Sequence, residues 1–359
     1  MAEIWQEEMI SQHAWGGERI LSFLQEGRIL KRALMDGDDS VRIPSPRFIS
    51  CWISEKCNLD CTYCYFSETN ADKSHQYIDT NRFCSWLEEA KKAGSESLEF
   101  SGGGEPTLHP DFIQIITAAM RMKFAMGLIT HACNEMPIEY LVEIMKYVRC
   151  GLDAATSTTH DAIKRNRRKD YWFHRAIENI RRLVEFRDAI NPNGFTVGIK
   201  IVINSINFHE FRKMIELARE LRVNYIQFKY EHSSDHLVDN DELGMIELEL
   251  NREKTRNNYS FTKVLGTMHH ARATVKCFMS PIHTVVTATG KILQCCFFES
   301  RPIGTIFQPF HEIWSGEQHR KVIEMTTVQE CDKVDCRWNI WNRQMKEIIE
   351  DPLASVSFI

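Results

Sequence analysis

Three cysteines stand close together in the run Cys57-Asn58-Leu59-Asp60-Cys61-Thr62-Tyr63-Cys64. Their spacing is C-x3-C-x2-C, and an apolar segment, residues 48–53, directly precedes them. An iron–sulfur cluster with four irons normally takes four thiolates. Three thiolates at this spacing can therefore hold the cluster and leave one iron open to a small molecule, which makes the open iron a reaction site.

A zinc site or ordinary buried thiols are the competing interpretation of these cysteines. Zinc knuckles usually pair two C-x2-C units and use four ligands in a tetrahedron. No fourth ligand stands next to this run in the sequence. The spacing therefore favours an iron–sulfur cluster over zinc.

A glycine-rich run, Ser101-Gly102-Gly103-Gly104-Glu105-Pro106, follows further along the chain. By itself such a run is typical of a turn before a helix, because glycine adopts positive φ and lets other backbone approach closely. When the glycine run follows a predicted strand and the cysteine run, it is a more specific signal. Together these motifs resemble the radical S-adenosylmethionine (radical SAM) superfamily, and the resemblance covers roughly residues 48–231.

The resemblance implies a reaction and its cofactors. A [4Fe-4S] cluster coordinated by Cys57, Cys61 and Cys64 plus SAM would pass one electron to SAM, and the resulting 5′-deoxyadenosyl radical would abstract hydrogen from a substrate. The electron would come from an external donor such as flavodoxin or ferredoxin. The residues that the resemblance assigns to SAM are Gly103, Gly104 and Glu105, with Tyr63 near the adenine.

Polar residues at the ends of later strands are further candidates. The resemblance places Asp153 and Asn204 beside the SAM ribose or methionine carboxylate, although both could simply cap the next element. Lys200 lies within an apolar strand, so it either snorkels or points into a cavity that holds a counter-charge. We expect Lys200, together with Lys229 and Glu231 at the end of the sixth strand, to contact substrate; Lys200 is also a candidate for the SAM carboxylate.

Short apolar runs alternate with amphipathic segments, as in repeated β-α units around a parallel sheet. The predicted strands are residues 48–53, 97–101, 124–130, 149–153, 196–204 and 225–230. The predicted helices are residues 80–93, 109–122, 138–147, 171–188 and 209–221. This α/β pattern fits the partial (β/α)6 TIM-like barrel that the resemblance implies, in which the chemistry lies at the carboxyl ends of the strands.

A second cysteine group lies near the C-terminus and comprises Cys277, Cys295, Cys331 and Cys336. Two short runs around a Thr-Gly turn, residues 284–287 and 291–294, predict a β-hairpin. The pattern resembles the SPASM and twitch domains, in a small β-hairpin-plus-helix form. Four thiolates suit one auxiliary [4Fe-4S] cluster, as in the shorter twitch form, and they would also bind a structural zinc.

Cys296 directly follows one of these ligands. If the hairpin strand continues regularly, its side chain points to the opposite face from Cys295. We expect it to be buried against the helix near Trp314, because free cysteine behaves mostly as a small hydrophobe. The alternative is a thiol that faces the cavity and donates a hydrogen atom in catalysis.

The charge, the apolar content and the number of cysteines limit the partners and the location that we expect for the protein. The formal charge of −5 for 359 residues argues against a nucleic-acid partner. The N-terminus lacks the layout of a signal peptide and no apolar stretch is long enough for a bilayer, so we expect a soluble cytoplasmic protein without a membrane partner. Twelve cysteines in such a protein indicate metal ligation rather than disulfides.

Four regions follow from these features. Residues 1–46 form an N-terminal helical extension, residues 47–235 the radical SAM partial barrel, residues 236–276 a helical linker, and residues 277–359 the auxiliary iron–sulfur domain. Radical SAM enzymes that modify peptides commonly carry an N-terminal recognition domain larger than residues 1–46. We therefore expect a small-molecule substrate.

The first hypothesis is a carbohydrate, aminocyclitol or nucleoside substrate that is oxidised, epimerised or dehydrated in a biosynthetic pathway. A peptide maturase whose leader recognition is separate is the second hypothesis. The third is a zinc-binding scaffold without enzymatic activity.

Overall fold

The computed structural model contains a mixed α/β fold. It describes residues 29, 32, 42–66, 76–165, 170–231, 236–256, 262–267, 273–334, 336, 338–339, 342–343 and 346. The strands are β1 (Phe48–Cys51), β2 (Ser97–Phe100), β3 (Ala125–Thr130), β4 (Tyr147–Gly151), β5 (Thr196–Ile203), β6 (Tyr225–Tyr230), β7 (Lys263–Thr267), β8 (His283–Val286), β9 (Lys291–Leu293) and β10 (Pro302–Thr305).

The helices lie between and after these strands. They are α1 (Thr80–Lys92), α2 (Phe112–Arg121), α3 (Ile138–Ile144), α4 (Ser157–Lys164), α5 (Tyr171–Ile190), α6 (Phe211–Glu220), α7 (Asn240–Arg256), α8 (Phe310–Trp314), α9 (Glu317–Met325) and α10 (Val328–Cys331). None of the described helices combines the length and the apolar character that crossing a bilayer requires.

The strands form one open sheet in the order β10-β9-β8-β1-β2-β3-β4-β5-β6-β7 among the described residues. From β1 to β7, consecutive strands pair in parallel. All six predicted strands and all five predicted helices are confirmed with small shifts at their ends. The sheet is therefore the partial, unclosed barrel that the sequence predicts.

Two strands were not predicted, β7 and β10. Residues 236–276 were expected to be a helical linker, and α7 confirms the helix, but β7 follows it and pairs in parallel with β6. Its run, Lys263-Val264-Leu265-Gly266-Thr267, contains only two large apolar residues. This apolar run is too short to predict a strand from sequence alone, so the linker prediction was incomplete.

The predicted C-terminal hairpin is confirmed by the antiparallel pairing of β8 with β9. Its turn is closed by a hydrogen bond from Gly290 N to Thr287 O of 2.9 Å, and Gly290 has a φ of 77°. β8 also pairs in parallel with β1, so the hairpin extends the barrel sheet. The four region boundaries remain predictions, and most of residues 1–46 lie outside the described residues.

The two faces of the sheet differ in polarity. One face carries apolar residues such as Leu98, Val148 and Ile199, which are buried in the main hydrophobic core. The other, inner face carries buried polar groups that bond to one another across the strands. Tyr147 Oη donates to Glu99 Oε2 at 2.5 Å, and Arg149 Nε donates to Tyr225 Oη at 3.0 Å.

Two glycines make room for the tyrosine rings on this inner face. Gly127 is the partner of Tyr147 in the register of β3 and β4, and Gly198 is the partner of Tyr225 in the register of β5 and β6. A Cβ atom at either glycine would overlap the ring beside it. The interior is therefore filled at this level by paired tyrosines over glycines.

We expect Gly198→Ala to destabilise the protein by about 1–3 kcal/mol, because the added methyl group overpacks the Tyr225 ring. Gly244→Ala is the matched control: this glycine lies within α7 and its Cβ would meet no atom within 4 Å. Alanine should stabilise the helix there by about 0.5–1 kcal/mol. Urea unfolding of both variants tests the pair, and equal effects would contradict the packing argument.

Candidate functional site

The three cysteines of the first motif converge in the loop that follows β1. Cys57, Cys61 and Cys64 are half-buried, and they are close enough that charges on Cys61 and Cys64 raise the pKa of Cys57. Burial is the main cause that raises the pKa of Cys57 to about 12 and that of Cys61 to about 11. The Cys57 and Cys61 thiols are therefore protonated without metal, and binding of iron must displace their protons.

Helix α4 holds this loop from one side. The last four carbonyl groups of a helix lack partners within the helix. In α4, Ile163 O accepts from Thr62 N at 2.9 Å, and Lys164 O accepts from Asp60 N at 3.1 Å. The end of the helix therefore fixes the backbone on both sides of Cys61.

The glycine run holds the loop from the other side. Gly104 N donates to Ser54 O at 2.6 Å, and Glu105 N donates to Lys56 O at 2.8 Å. Gly103 has a φ of 70°, and a Cβ atom on it would lie 2.8 Å from Ser54 O. Glycine is thus required because backbone of the cysteine loop lies directly against this run. Binding of SAM by Gly103 and Gly104 remains a prediction.

Glu105 is buried and its carboxylate joins the loops after β2 and β3. Oε1 accepts from Thr107 Oγ1 at 2.8 Å and from Thr130 Oγ1 at 2.7 Å, while Oε2 accepts from His131 N at 3.0 Å. These bonds give the side chain a structural role in positioning the two loops. Its predicted contact with SAM remains a prediction.

A buried ion pair lies beside the cysteine loop. Asp153 is hydrogen-bonded to Tyr63 Oη and to Lys164 Nζ, and its Oδ1 accepts from Val202 N at 2.7 Å. Asp153 also has a φ of 59°, a strained conformation for a residue with a side chain. The strand-end carboxylate predicted for SAM is therefore held in place by three elements of the protein.

The charges of this pair support one another. Burial by itself would lower the pKa of the Lys164 ammonium, but Asp153 outweighs burial and raises it well above its usual value. Burial would raise the pKa of Asp153, and Lys164 outweighs it in the opposite direction. Burial and Asp153 together raise the pKa of Tyr63, which keeps the phenol protonated as a donor.

Lys164 faces the loop that carries the first three cysteines, but it was not predicted as a site residue. The ammonium lowers the pKa of Cys61 against the effect of burial, so it stabilises the thiolate that would bind iron. Thr159, His160 and Ile163 are the other buried residues of α4. The signal that could have identified Lys164 as a site residue was a lysine on the apolar face of a short helix.

Asn204 is buried at the end of β5, and its side chain caps the local turn by accepting from Ile206 N at 3.0 Å. Among the described residues, its Nδ2 has no hydrogen-bond partner. Contact of Asn204 with SAM remains a prediction. Asn207, which the sequence reasoning missed, donates from Nδ2 to Asp153 O and Val202 O at 2.8 Å each. It thereby joins the loops after β4 and β5.

The predicted substrate residues share the inner face of the sheet. Lys200 is half-buried between Ile199 and Ile201, which lie in the core on the opposite face. This confirms that Lys200 points inward. Lys229 lies beside Val202 in the register of β6, and Glu231 follows at the strand's end. Contact of these three residues with substrate remains a prediction.

The four cysteines of the second group line one cavity. It is bordered by Cys277, Cys295, Cys331 and Cys336, together with residues that include Ser280, His283, Gln294, Trp338 and Asn342. Within the described part of the chain, no three side chains of Cys, His, Asp or Glu lie close enough to share a single metal ion. Four thiolates that line one cavity are the ligand number that a four-iron auxiliary cluster takes.

Hydrogen-bond donors point at the sulfurs of this cavity. Cys277 Sγ accepts from Ser280 N at 3.2 Å and from Asn342 Nδ2 at 3.5 Å, and Cys336 Sγ accepts from Trp338 N at 3.4 Å. Such bonds stabilise thiolate charge and tune a cluster. The donor set therefore fits an iron–sulfur cluster at the predicted ligands.

Cys296 does not pack near Trp314, so that expectation was wrong. The chain turns after Cys295, with Phe298 N donating to Cys295 O, instead of continuing as a regular strand. Cys296 packs against the small cluster of Trp52, Val285 and Leu293. Its sulfur is also hydrogen-bonded with Cys295. It therefore lies between the auxiliary cavity and the end of β1, and its role as a hydrogen donor remains a prediction.

We expect Asp153→Asn and Lys164→Met each to destabilise the protein by about 3–5 kcal/mol, because each leaves a buried charge without its partner. The double variant should lose less than the sum of the two. In the control, Arg212→Met, the change should be about 0–1 kcal/mol, because Arg212 is 74% exposed in its pair with Glu249. Additive losses in urea unfolding would refute the coupling of Asp153 with Lys164.

The chain is similar to several curated proteins at low sequence identity. The tungsten-containing aldehyde ferredoxin oxidoreductase cofactor-modifying protein of Pyrococcus furiosus is 25% identical over 174 residues, covering 47% of this chain and 46% of that protein. The PqqA peptide cyclase of Gluconobacter oxydans is 25% identical over 191 residues, covering 52% and 50%. A probable GTP 3′,8-cyclase of Saccharolobus solfataricus is 26% identical over 178 residues, covering 48% and 53%. The chain spans about half the length of these relatives.

Solved structures share the fold at low sequence identity. Streptococcus suis SuiB bound to the precursor peptide SuiA gives a TM-score of 0.65 at 15% identity, covering 84% of this chain and 71% of that one. Native anSMEcpe with bound AdoMet and Cp18Cys peptide gives a TM-score of 0.61 at 15% identity, covering 82% and 86%.

Two family matches coincide with the two cysteine groups. Residues 53–218 match the Radical SAM superfamily, and residues 277–337 match SPASM, an iron-sulfur cluster-binding domain. The first match contains the cysteine loop, the glycine run and Lys164, and the second contains the four cysteines of the cavity. The chain therefore contains a radical SAM domain followed by a SPASM-type iron-sulfur cluster-binding domain, and its cofactors are a SAM-binding [4Fe-4S] cluster, SAM and an auxiliary cluster.

Proposed function

We propose that this radical SAM enzyme modifies a peptide, or a peptide segment of a protein, by abstracting hydrogen from it. The observation that carries the proposal is the convergence of the two cysteine groups on neighbouring parts of one sheet. The first group lies in the loop after β1, and the second lines a cavity next to β8, the strand that pairs with β1. A substrate at the mouth of the barrel would lie within reach of both.

When bound, the cluster and SAM supply the hydrogen-abstracting radical chemistry of the superfamily. In our proposal, Cys57, Cys61 and Cys64 hold the first cluster, and Lys164 places a positive charge beside it. Gly103 and Gly104 keep the glycine loop close to the cysteine loop. The protein's own task is then to position the substrate and to exclude water from the mouth.

Peptide substrates have more support than the carbohydrate hypothesis. Of the relatives described above, one is named for a peptide substrate, one for GTP and one for cofactor modification. Two of the solved structures with this fold carry a bound peptide. The partial barrel is also an open sheet with β7 at one edge, which leaves a side through which an extended chain can enter.

The auxiliary centre has two roles compatible with its position. It can accept an electron from the substrate, which gives net oxidation, or it can support the substrate pocket. Cys296 lies between this centre and Trp52 at the end of β1. We propose that its thiol faces the substrate, where it could return a hydrogen atom.

Iron content tests the two cysteine groups separately. Anaerobically reconstituted protein should hold on the order of eight irons per chain, in two four-iron clusters. Cys61→Ala should hold about four irons and form no 5′-deoxyadenosine, because the SAM-binding cluster is lost. Cys336→Ala should also hold about four irons but still cleave SAM. Cys84→Ala, on α1, is the control and should behave as the wild type; binding of zinc alone would end the enzymatic proposal.

The substrate class is tested by turnover with two libraries, one of synthetic peptides and one of nucleotide sugars and aminocyclitols. With SAM and a reductant, peptides should increase formation of 5′-deoxyadenosine and acquire a mass change, and Cys61→Ala should abolish both. In deuterated water an epimerisation adds deuterium, whereas an oxidation removes two hydrogens. Stimulation by the sugar library alone would overturn the peptide proposal.

A further inference from the structure

The inner face of β6 carries two buried acceptors that no protein donor satisfies. In the described part of the chain, neither carboxylate oxygen of Glu231 has a hydrogen-bond partner, and the same holds for Gln227 Oε1. Glu231 is 2% exposed and Gln227 is 6% exposed, so bulk water does not solvate them freely. Both positions face the barrel interior, because side chains alternate along a strand and Ile226 and Phe228 lie in the core.

Such a carboxylate is costly to bury. Removing an unpaired polar group from water is unfavourable, and removing an unpaired charged group is more so. Other buried atoms without partners, such as Trp86 Nε1 and the nitrogens of His160, belong to groups that are neutral or readily become neutral. Glu231 is the one buried carboxylate of the described residues in which both oxygens lack a partner. Native structures retain such groups where a ligand, an ion, a bound water or a catalytic role accounts for them.

Neighbouring groups do not take this role. Lys229 lies two residues earlier on the same face of β6, yet neither oxygen of Glu231 is hydrogen-bonded to it. The main-chain N–H of Glu231 donates to Ile203 O at 3.1 Å, which fixes the residue at the carboxyl end of the sheet. This is the end at which the cysteine loop and Asp153 lie. The acceptor therefore faces the reaction mouth.

We infer that Glu231, assisted by Gln227, binds a positively charged side chain of the substrate, a lysine ammonium or an arginine guanidinium. The inference rests on the proposed peptide substrate and names the residue type that the mouth selects. A cation supplies donors without bringing an acceptor, which matches two unsatisfied acceptors and neutralises the carboxylate. Because both oxygens are enclosed, the end of β6 must open locally to admit the ligand. In the sheet of the described residues, β7 is the one strand that lies beyond β6.

Binding of small probes to the reconstituted protein with SAM tests this inference. N-acetyl-lysine methylamide and N-acetyl-arginine methylamide should bind at least about tenfold more tightly than N-acetyl-norleucine methylamide, measured by calorimetry. In Glu231→Gln this preference should disappear. Glu216→Gln, an exposed position on α6, is the matched control and should retain it. Equal binding of the charged and uncharged probes to the wild type, or an unchanged preference in Glu231→Gln, would overturn the inference.

Stability gives a second readout that does not depend on any substrate. If Glu231 is kept for a ligand, replacing it by glutamine removes an unpaired charge, and the urea midpoint of the reconstituted protein should rise. A fall in the midpoint would mean that Glu231 serves the fold, and the inference would fail. Charge-selective binding without modification of any peptide would instead refute the proposed function and leave the cation site standing.

Discussion

The loop that carries Cys57, Cys61 and Cys64 is held by its backbone from two sides, and the rest of the site depends on this. Carbonyls at the end of α4 accept from its N–H groups, and its own carbonyls accept from Gly104 and Glu105. A loop with few buried side chains has little other means of fixing its position. The location of the three sulfurs is therefore set by how closely the glycine run and α4 approach.

The charges at the mouth come from separate β-α units that the sheet brings together. Asp153 follows β4, Lys164 ends α4 and Tyr63 belongs to the cysteine loop, yet they form one buried network. Asn207, after β5, fixes the backbone of Asp153. Such networks of perturbed pKa values and strained backbone are typical of functional sites, since stability alone seldom favours them.

The SPASM-type region is joined to the barrel through the sheet itself. β8 pairs with β1 along its full length. The first strand of the hairpin that leads to Cys295 therefore lies beside the strand that leads to Cys57. The two metal centres are consequently held by neighbouring strands. Cys296 and Trp52 pack together where these two strands lead into their loops.

The sequence by itself determined the two cysteine sets, the six strands and five helices of the partial barrel, and the C-terminal hairpin. These features depend on spacing and periodicity within short segments, and local physics is enough to define them. Strand β7 was not predicted, because its apolar run is too short to indicate a strand. The inward direction of Lys200 was also predictable, since alternation along a strand is a local property.

Only the tertiary structure decided which groups meet. Lys164 and Asn207 gain their roles from partners on other elements, and Glu105 is satisfied by the loops after β2 and β3. The carboxylate of Glu231 has no hydrogen-bond partner among the residues that the structure describes. The side on which Cys296 lies depended on a turn that ended the strand early. Contacts between distant segments, and the desolvation that gives them their energy, arise only when the sheet assembles, so no local pattern could reveal them.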